Sequence, residues 1–347
     1  MNRRSLIAAL PALGWARRLL AEAGGPRVRL GICAFSCHQH WKAVGAGRAG
    51  VKFTDAVSFY HYARELGAEG VQTPLRDCEP RLIRDLVEKT GGYYEGELRL
   101  PKSESDVAAV ESEIRSLREA GASVARAVFT SGRRYEVFQT LAEFQMFHEQ
   151  ARRSLELIEP VLQKHQLKLA IENHKDHTAE ELVTLMRGIS SEWVGVLVDT
   201  GNNIALLEEP HAVVEALAPY AFSVHLKDMA VQESANGFLL SEVPLGTGMI
   251  DLPRVIATLT TKNPAIVLNL EMATRDPLRI PSGSDEYFVT FPDDRASRLA
   301  AAMGRVRTLP PREPVPAVSG KDTDQVLAEE EANNRDGLAW MTQHVKS

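Results

Sequence analysis

The feature that most constrains this chain is a set of four apolar runs, each stopping at a group that can bind a cation or move a proton. "LKLAIENHKDH", from Leu167, breaks from Leu169, Ala170 and Ile171 into Glu172. "VGVLVDTGNN" runs into Asp199, "FSVHLKD" carries His225, and "AIVLNLEM" ends at Glu271. These residues stand 27, 26 and 46 positions apart. Each interval has the length of one strand plus one helix, the last enlarged by a loop, "AVQESANGFLLSEVPLGTG". Strands that read as continuous apolar runs separated by helical stretches belong in a parallel sheet covered on its faces.

The preceding chain repeats the alternation. "RVRLGICAF" reads as a strand, and "TDAVSFYHYARELG" as a helix capped by Thr54 or Asp55 and closed by Gly67. "AEGVQTP" is a short strand; "EPRLIRDLVEKTGG" is a helix with Pro80 in its first turn and Gly91 after it. "GYYEGELRLP" and "SVARAVFTSG" supply two more strands. Between them Val107, Val110, Ile114 and Leu117 recur at helical spacing. A long helix follows from about Thr140 to Lys164. Eight such units from Val28 to Glu271, with a last helix around Ser297–Val306, predict an α/β fold. It is a single (β/α)8 TIM barrel over 28–308, a fold of typically about 250 residues. The alternative, a doubly wound sheet, lacks its Gly-rich loop after the first strand. Residues 309–347 read as a Pro-rich linker and a helical C-terminal extension, packed on or trailing from the barrel.

The chain of 347 residues is 44% hydrophobic and 25% charged, enough apolar material for a sizeable core. A net charge of -6 with both signs interspersed gives no footprint for nucleic acid or an anionic membrane. The 3 cysteines imply no disulfide framework. Cys33 and Cys37, in a segment read as extended, are taken as small buried side chains. Residues 1–23 carry Arg3-Arg4, an apolar stretch from Leu6 to Trp15 and Ala21-Glu22-Ala23. That arrangement resembles a twin-arginine export signal, which predicts a periplasmic or exported protein. An amphipathic N-terminal helix, and so a cytoplasmic protein, is the other reading; Arg17-Arg18 so near the cleavage site is unusual. The apolar stretch is shorter than the roughly 20 residues needed to span a bilayer stably.

In a barrel the carboxyl ends of all strands meet on one face, so Glu172, Asp199, His225 and Glu271 converge there. One such acid alone is more often a helix cap or a surface group; four on consecutive strands point to a shared site. Three carboxylates at a low-dielectric mouth repel one another and resist ionising. A divalent cation removes that cost. Three oxygen donors and one imidazole suit a single Mn²⁺, Co²⁺, Mg²⁺ or Zn²⁺, with positions left for water or substrate.

The ordered set "AIENH", "VLVDTGN", "VHLKD", "GTGMIDLPRVI" and "LNLEM" resembles the xylose-isomerase-like barrel superfamily of sugar isomerases and epimerases, especially its ketose 3-epimerase branch. The resemblance spans nearly all of Val28–Thr274. It implies that Glu172, Asp199, His225 and Glu271 bind one divalent metal, and that Glu172 and Glu271 serve as acid and base on opposite sides of a carbohydrate substrate. Proton abstraction beside a carbonyl would then pass through an enediolate. "GTGMID", with Gly246, Gly248 and Asp251, looks like the family's loop before the seventh helix.

The match departs from the pattern at Asn202, where epimerase relatives often carry a histidine. A neutral amide orients a hydroxyl but shuttles no proton. The same histidine is a zinc ligand in the related endonuclease IV barrels, so its absence argues against DNA cleavage. His174, Asn202, Lys227 and His38 are the expected substrate contacts; Lys227 could instead pair with Asp228. His40 and Trp41 could line the mouth, and Glu95 and Glu97 read as structural. Relatives also act on 3-keto-glycosides, so a 3-keto-glycoside lyase using the same metal is the main alternative. A non-catalytic sugar-binding barrel is a third reading, and a homo-oligomer is compatible with the sequence.

Overall fold

The computed structural model describes residues 27–76, 78–291, 295–308 and 314–345. The export signal read in residues 1–23 lies outside these, as does part of the Pro-rich linker. Eight parallel strands close a barrel: β1 (Arg29–Cys33), β2 (Gly70–Gln72), β3 (Tyr93–Glu97), β4 (Val124–Ala127), β5 (Lys168–Glu172), β6 (Val194–Asp199), β7 (Ala221–Leu226) and β10 (Val267–Leu270). Their order around the barrel is β1-β10-β7-β6-β5-β4-β3-β2. The expected strand–helix alternation is therefore present, and β1 seals against β10 with Gly31 opposite Asn269. A side chain at Gly31 would meet the Tyr93 hydroxyl, which crosses the barrel floor there.

Local chemistry sets the helix ends. Asp55 caps Ala56–Glu65 through a capping box with Ser58, and Gly91 closes Pro80–Thr90 in the left-handed conformation. Thr140 caps the long helix Leu141–His165, and Thr178 with Glu181 forms a capping box on Ala179–Ile189. No described helix is long and apolar enough to cross a membrane.

Two readings need correction. The stretch read as a loop after His225 is a hairpin, β8 (Asp228–Ser234) and β9 (Gly237–Val243), joined antiparallel by β11 (Leu278–Ile280). Ala235-Asn236 make its turn and Gly237, paired with Ser234, follows at φ 128°; the Asn-Gly dipeptide is the sequence signal for it. The segment after β1 is not extended: Ala34–Cys37 is a 3-10 turn, although Cys33 and Cys37 are buried free thiols as expected.

The C-terminal helix, Thr323–Val345, lies against the β1–β10 seam. Glu330, Asn334, Leu338 and Met341 form its buried stripe. Glu330 accepts from the backbone N–H groups of Gln39 (2.7 Å) and His40 (3.0 Å) and from His40 Nδ1 (2.7 Å). His40 therefore clamps this helix and does not line the mouth. Trp41 packs against Phe53 and Phe59.

Glu330 is fully buried, and truncation orphans three donors. Glu330→Ala is expected to lower stability by about 3 kcal/mol, read as a reduced urea midpoint at unchanged slope. An unchanged midpoint would mean that the helix is not held by this contact.

Candidate metal centre

The ends of β5, β6 and β7 and the residue after β10 deliver Glu172, Asp199, His225 and Glu271. Ligand atoms of all four lie within 4.8 Å of one another. The residues are 1%, 1%, 1% and 5% exposed respectively. Asn173 ties two of the strand ends together. Its Oδ1 accepts from the Asp199 N–H (2.8 Å), and its Nδ2 donates to the Asp199 carbonyl (2.9 Å) and Asn203 Oδ1 (3.0 Å). Asp199 Oδ1 accepts from the N–H groups of Gly201 (2.9 Å) and Asn202 (2.7 Å). That turn leaves Oδ2 facing the centre.

The orientation of His225 follows from a chain of hydrogen bonds. Gln72 Nε2 donates to Glu95 Oε2 at 2.9 Å, so Gln72 Oε1 is the acceptor facing His225 Nε2, 2.6 Å away. The ring therefore donates from Nε2 and turns Nδ1 to Glu271 Oε2 and, at 3.7 Å, Glu172 Oε2. Burial lowers the imidazole pKa, but the charges of those two carboxylates more than offset it and push it up. This is the outer-shell arrangement that prepares an imidazole for a metal. Asp199 Oδ2 and His225 Nδ1 are both fully buried and meet charged groups. Lys227 Nζ forms an ion pair with Asp199 Oδ2 at 2.8 Å. Three buried carboxylates closed into one ring by an imidazole nitrogen fit a bound cation. Cys33 Sγ is within reach of His225 and Glu271 too. Burial and the Glu271 charge push that thiol well up, so it stays protonated.

Charge explains the remaining neighbours. Burial opposes ionisation of Glu172, but Arg126, donating at 2.5 Å, and His225 more than offset it and hold the carboxyl at about 2. Glu271 is likewise buried yet held well below the ordinary range by Lys227 and His225. Asp199 goes the other way: burial raises it, Lys227 only partly compensates, and the charges on Glu271 and Glu172 add to the rise. The third carboxylate is thus the one for which the protein's own cations do not suffice.

Of the expected substrate contacts, two join the centre. Lys227 Nζ reaches Glu271 Oε1 at 2.9 Å and Asn202 Oδ1 at 3.3 Å, while Asn202 Nδ2 donates to Glu172 Oε1 at 2.9 Å. Lys227 does not pair with Asp228, which points to the opposite face of the chain. The Asp228 carboxylate instead accepts from the N–H groups of Met229, Gly246, Gly248 and Ile250. A Cβ on Gly248 would lie 2.2 Å from Asp228 Oδ1. "GTGMID" is therefore a loop wrapped around a carboxylate, with Asp251 capping Leu252–Lys262. His174 stands beside Glu172, its Nδ1 3.1 Å from the Thr130 carbonyl. His38 does not join: it stacks on Phe35 at the rim, 3.5 Å from Glu330.

Sequence reasoning missed Arg126, Gln72, Asn173 and Lys175, and the supporting role of Glu95, which binds Gln72, Ser223 and Asn269 inside the barrel. A polar residue such as Arg126 or Gln72 within an apolar strand was the available signal. Glu97 stands 3.5 Å from Arg126, nearer solvent. A cleft of about 1360 Å³, lined by Leu98, Phe129, Phe138 and Phe147, opens onto Arg126 and Thr130 from the side.

His174 has its pKa drawn from 6.5 to about 4, by burial first, with the cations Lys175 and Arg126 adding to the fall. Its folded value lies below the unfolded one, so the stability it contributes is complete above 6.5 and lost as pH falls through about 4. NMR titration of the ring is expected to show a neutral imidazole at pH 6, charging only below about 5. A midpoint near 6.5 would show that the ring is solvated.

Residues 60–309, well over half of the chain, match the xylose isomerase-like TIM barrel family. The structure resembles that of a D-psicose 3-epimerase determined in the presence of D-fructose, with TM-score 0.58 and 15% identity over 92% of this chain and 100% of that one. It also resembles an L-ribulose 3-epimerase, with TM-score 0.57 and 14% identity over 92% and 95% of the two chains. At these identities the likeness is one of fold. A 99-residue stretch, 28% of this chain, is 32% identical to 3-oxo-isoapionate decarboxylase of Pectobacterium atrosepticum and spans only 36% of that protein. With its closed eight-stranded barrel and the matched residues, the chain belongs to the xylose isomerase-like TIM barrel family.

Proposed function

We propose that this protein is a divalent-metal-dependent enzyme that isomerises or epimerises a small carbohydrate by moving a proton on the carbon next to a carbonyl. The observation that carries the proposal is the convergence of Glu172, Asp199, His225 and Glu271 within 4.8 Å, three carboxylates and an imidazole buried together. These four residues would hold the ion, one of Mn²⁺, Co²⁺, Mg²⁺ or Zn²⁺. When bound, it supplies positive charge against the oxygens of the developing enediolate. Glu172, kept ionised by Arg126, is poised to accept a proton from one face. Glu271, tied to the Lys227 ammonium, serves the other face. Return of the proton at the opposite face epimerises, and return at the neighbouring carbon isomerises.

A second outcome of the same chemistry has its own support. Asn202 bonds Glu172 and carries no exchangeable charge. The enediolate can then expel a neighbouring group rather than regain a proton, which is the lyase reading. The partial likeness to a decarboxylase is in keeping with it. A periplasmic location belongs to the proposal and rests on the twin arginines of the leader.

Elemental mass spectrometry of the full chain is expected to find about one divalent ion per molecule, lost in Asp199→Ala and in Glu271→Ala while both stay folded. Glu172→Gln and Glu271→Gln are each expected to slow substrate C–H exchange in D₂O by roughly 10²- to 10⁴-fold. No metal after loading with Mn²⁺, Co²⁺ or Zn²⁺ would sink the mechanism. Bound metal with no exchange across ketoses and 3-keto-glycosides would leave a sugar-binding barrel.

A further inference from the structure

Four cationic side chains surround the centre, and three have a carboxylate beside them. Arg126 pairs with Glu172 at 2.5 Å, Lys227 with Asp199 at 2.8 Å and Glu271 at 2.9 Å, and Arg275 with Glu242 at 2.5 Å. Lys175 is the exception. It is only 5% exposed, yet among the described residues no carboxylate lies within ion-pair distance of it, and its ammonium is hydrogen-bonded to the neutral Oδ1 of Asn202. An ammonium buried against a lone amide is costly relative to one in water. Such a group persists where something else completes it.

The backbone at Lys175 supplies an independent sign. Its φ is 71°, in the left-handed region. Among the described residues, the other non-glycine positions with positive φ, Gln166, Ser190 and Leu207, each close a helix, where that conformation is ordinary. Lys175 closes none. The strain is held from outside: the Lys175 carbonyl accepts from the Arg134 N–H at 2.9 Å. Arg134 itself is fixed between the rings of Phe144 and Phe291 and by Glu181. Strain that the surroundings over-determine concentrates at sites of function. Asn202 is also fixed, because its Nδ2 serves Glu172 and so turns Oδ1 to both Lys175 and Lys227. Burial first, and then the Lys227 charge, draws the Lys175 pKa down to about 8, more than offsetting the Asp199 and Glu242 carboxylates beyond ion-pair distance.

We propose that Lys175 is a specificity-determining residue that receives a carboxylate of the substrate, which makes the substrate class an oxo-sugar acid rather than a neutral ketose. The inference rests on the reading of the metal centre as a carbohydrate site. One ammonium matches one carboxylate charge; a phosphate dianion would be only half compensated.

The test uses the full chain loaded with Mn²⁺, with metal content measured for every sample, and calorimetric binding of three sugars on one carbon skeleton. D-Fructose is neutral, 2-keto-D-gluconate carries a carboxylate at one end, and D-fructuronate carries it at the other. At least one of the acids is expected to bind ten times more tightly than D-fructose. Lys175→Met should bring that ratio to within about twofold of unity, and Lys175→Arg should retain it. Equal binding of acid and ketose by the parent, binding of none of the three, or an undiminished ratio in Lys175→Met would each overturn the proposal. So would inorganic phosphate binding more tightly than either acid. Intact metal content in these cases confines the failure to Lys175; absent metal in the parent is a failure of the centre itself.

Discussion

Mutual repulsion among buried carboxylates is the constraint on which the rest of this structure depends. Two unit charges about 5 Å apart at an effective dielectric near 20 repel by roughly 3 kcal/mol. Three such pairs amount to roughly the whole stability of an ordinary domain, about 5–15 kcal/mol. Glu172, Asp199 and Glu271 therefore cannot share the barrel mouth without compensation built around them. Arg126 and Lys227 provide part of it, and each reaches its carboxylates from a neighbouring strand end. The opposite shifts of the carboxyl groups, down for Glu172 and Glu271 and up for Asp199, mark where that compensation stops.

The C-terminal helix enters the same account through the seam it covers. Glu271 lies one residue beyond β10, so the regular ladder does not fix it alone. Its N–H donates to the Leu226 carbonyl at 3.0 Å. On the other side Ser36 Oγ donates to the Leu270 carbonyl at 2.8 Å and accepts from the Met272 N–H at 2.9 Å. Asn334 then holds the Ser36 carbonyl at 2.9 Å, and Gly337 lets the helix approach Leu270. A helix with no group in the centre thus buttresses the strand end that carries one of its carboxylates.

The barrel was legible because its signal is repetitive: apolar strands, capped helices and strand ends with ligand-type residues recur in register with the chain. Glu172, Asp199, His225 and Glu271 were legible for the same reason. Residues that act through another residue were not. Gln72 and Glu95 matter only because their side chains meet His225 from two other strands, and Asn173 matters because it grips the backbone of Asp199. No local pattern encodes such contacts. Lys227, two residues beyond His225, shares its face by the alternation of a strand. Its pairing with Asp228 was wrong for the same geometric reason, since adjacent residues point apart. The hairpin after β7 was misread because the loop was treated as an interval between ligands, although Asn236-Gly237 marks a turn by itself.

Asn202 connects the electrostatics to the chemistry. An imidazole at this position would bring a group that competes for protons. The amide instead accepts from two ammonium groups while donating to Glu172. It holds positive charge close to the reacting region without offering a proton of its own. Such a site stabilises an anion better than it quenches one. Under the proposed mechanism that balance favours reactions in which the enediolate survives long enough to rearrange or to lose a neighbouring group. Rapid return of a proton to the face it left becomes the less favoured course. The strained, unpaired Lys175 fits that balance, because a substrate carrying its own carboxylate would bring the counter-charge that the protein omits.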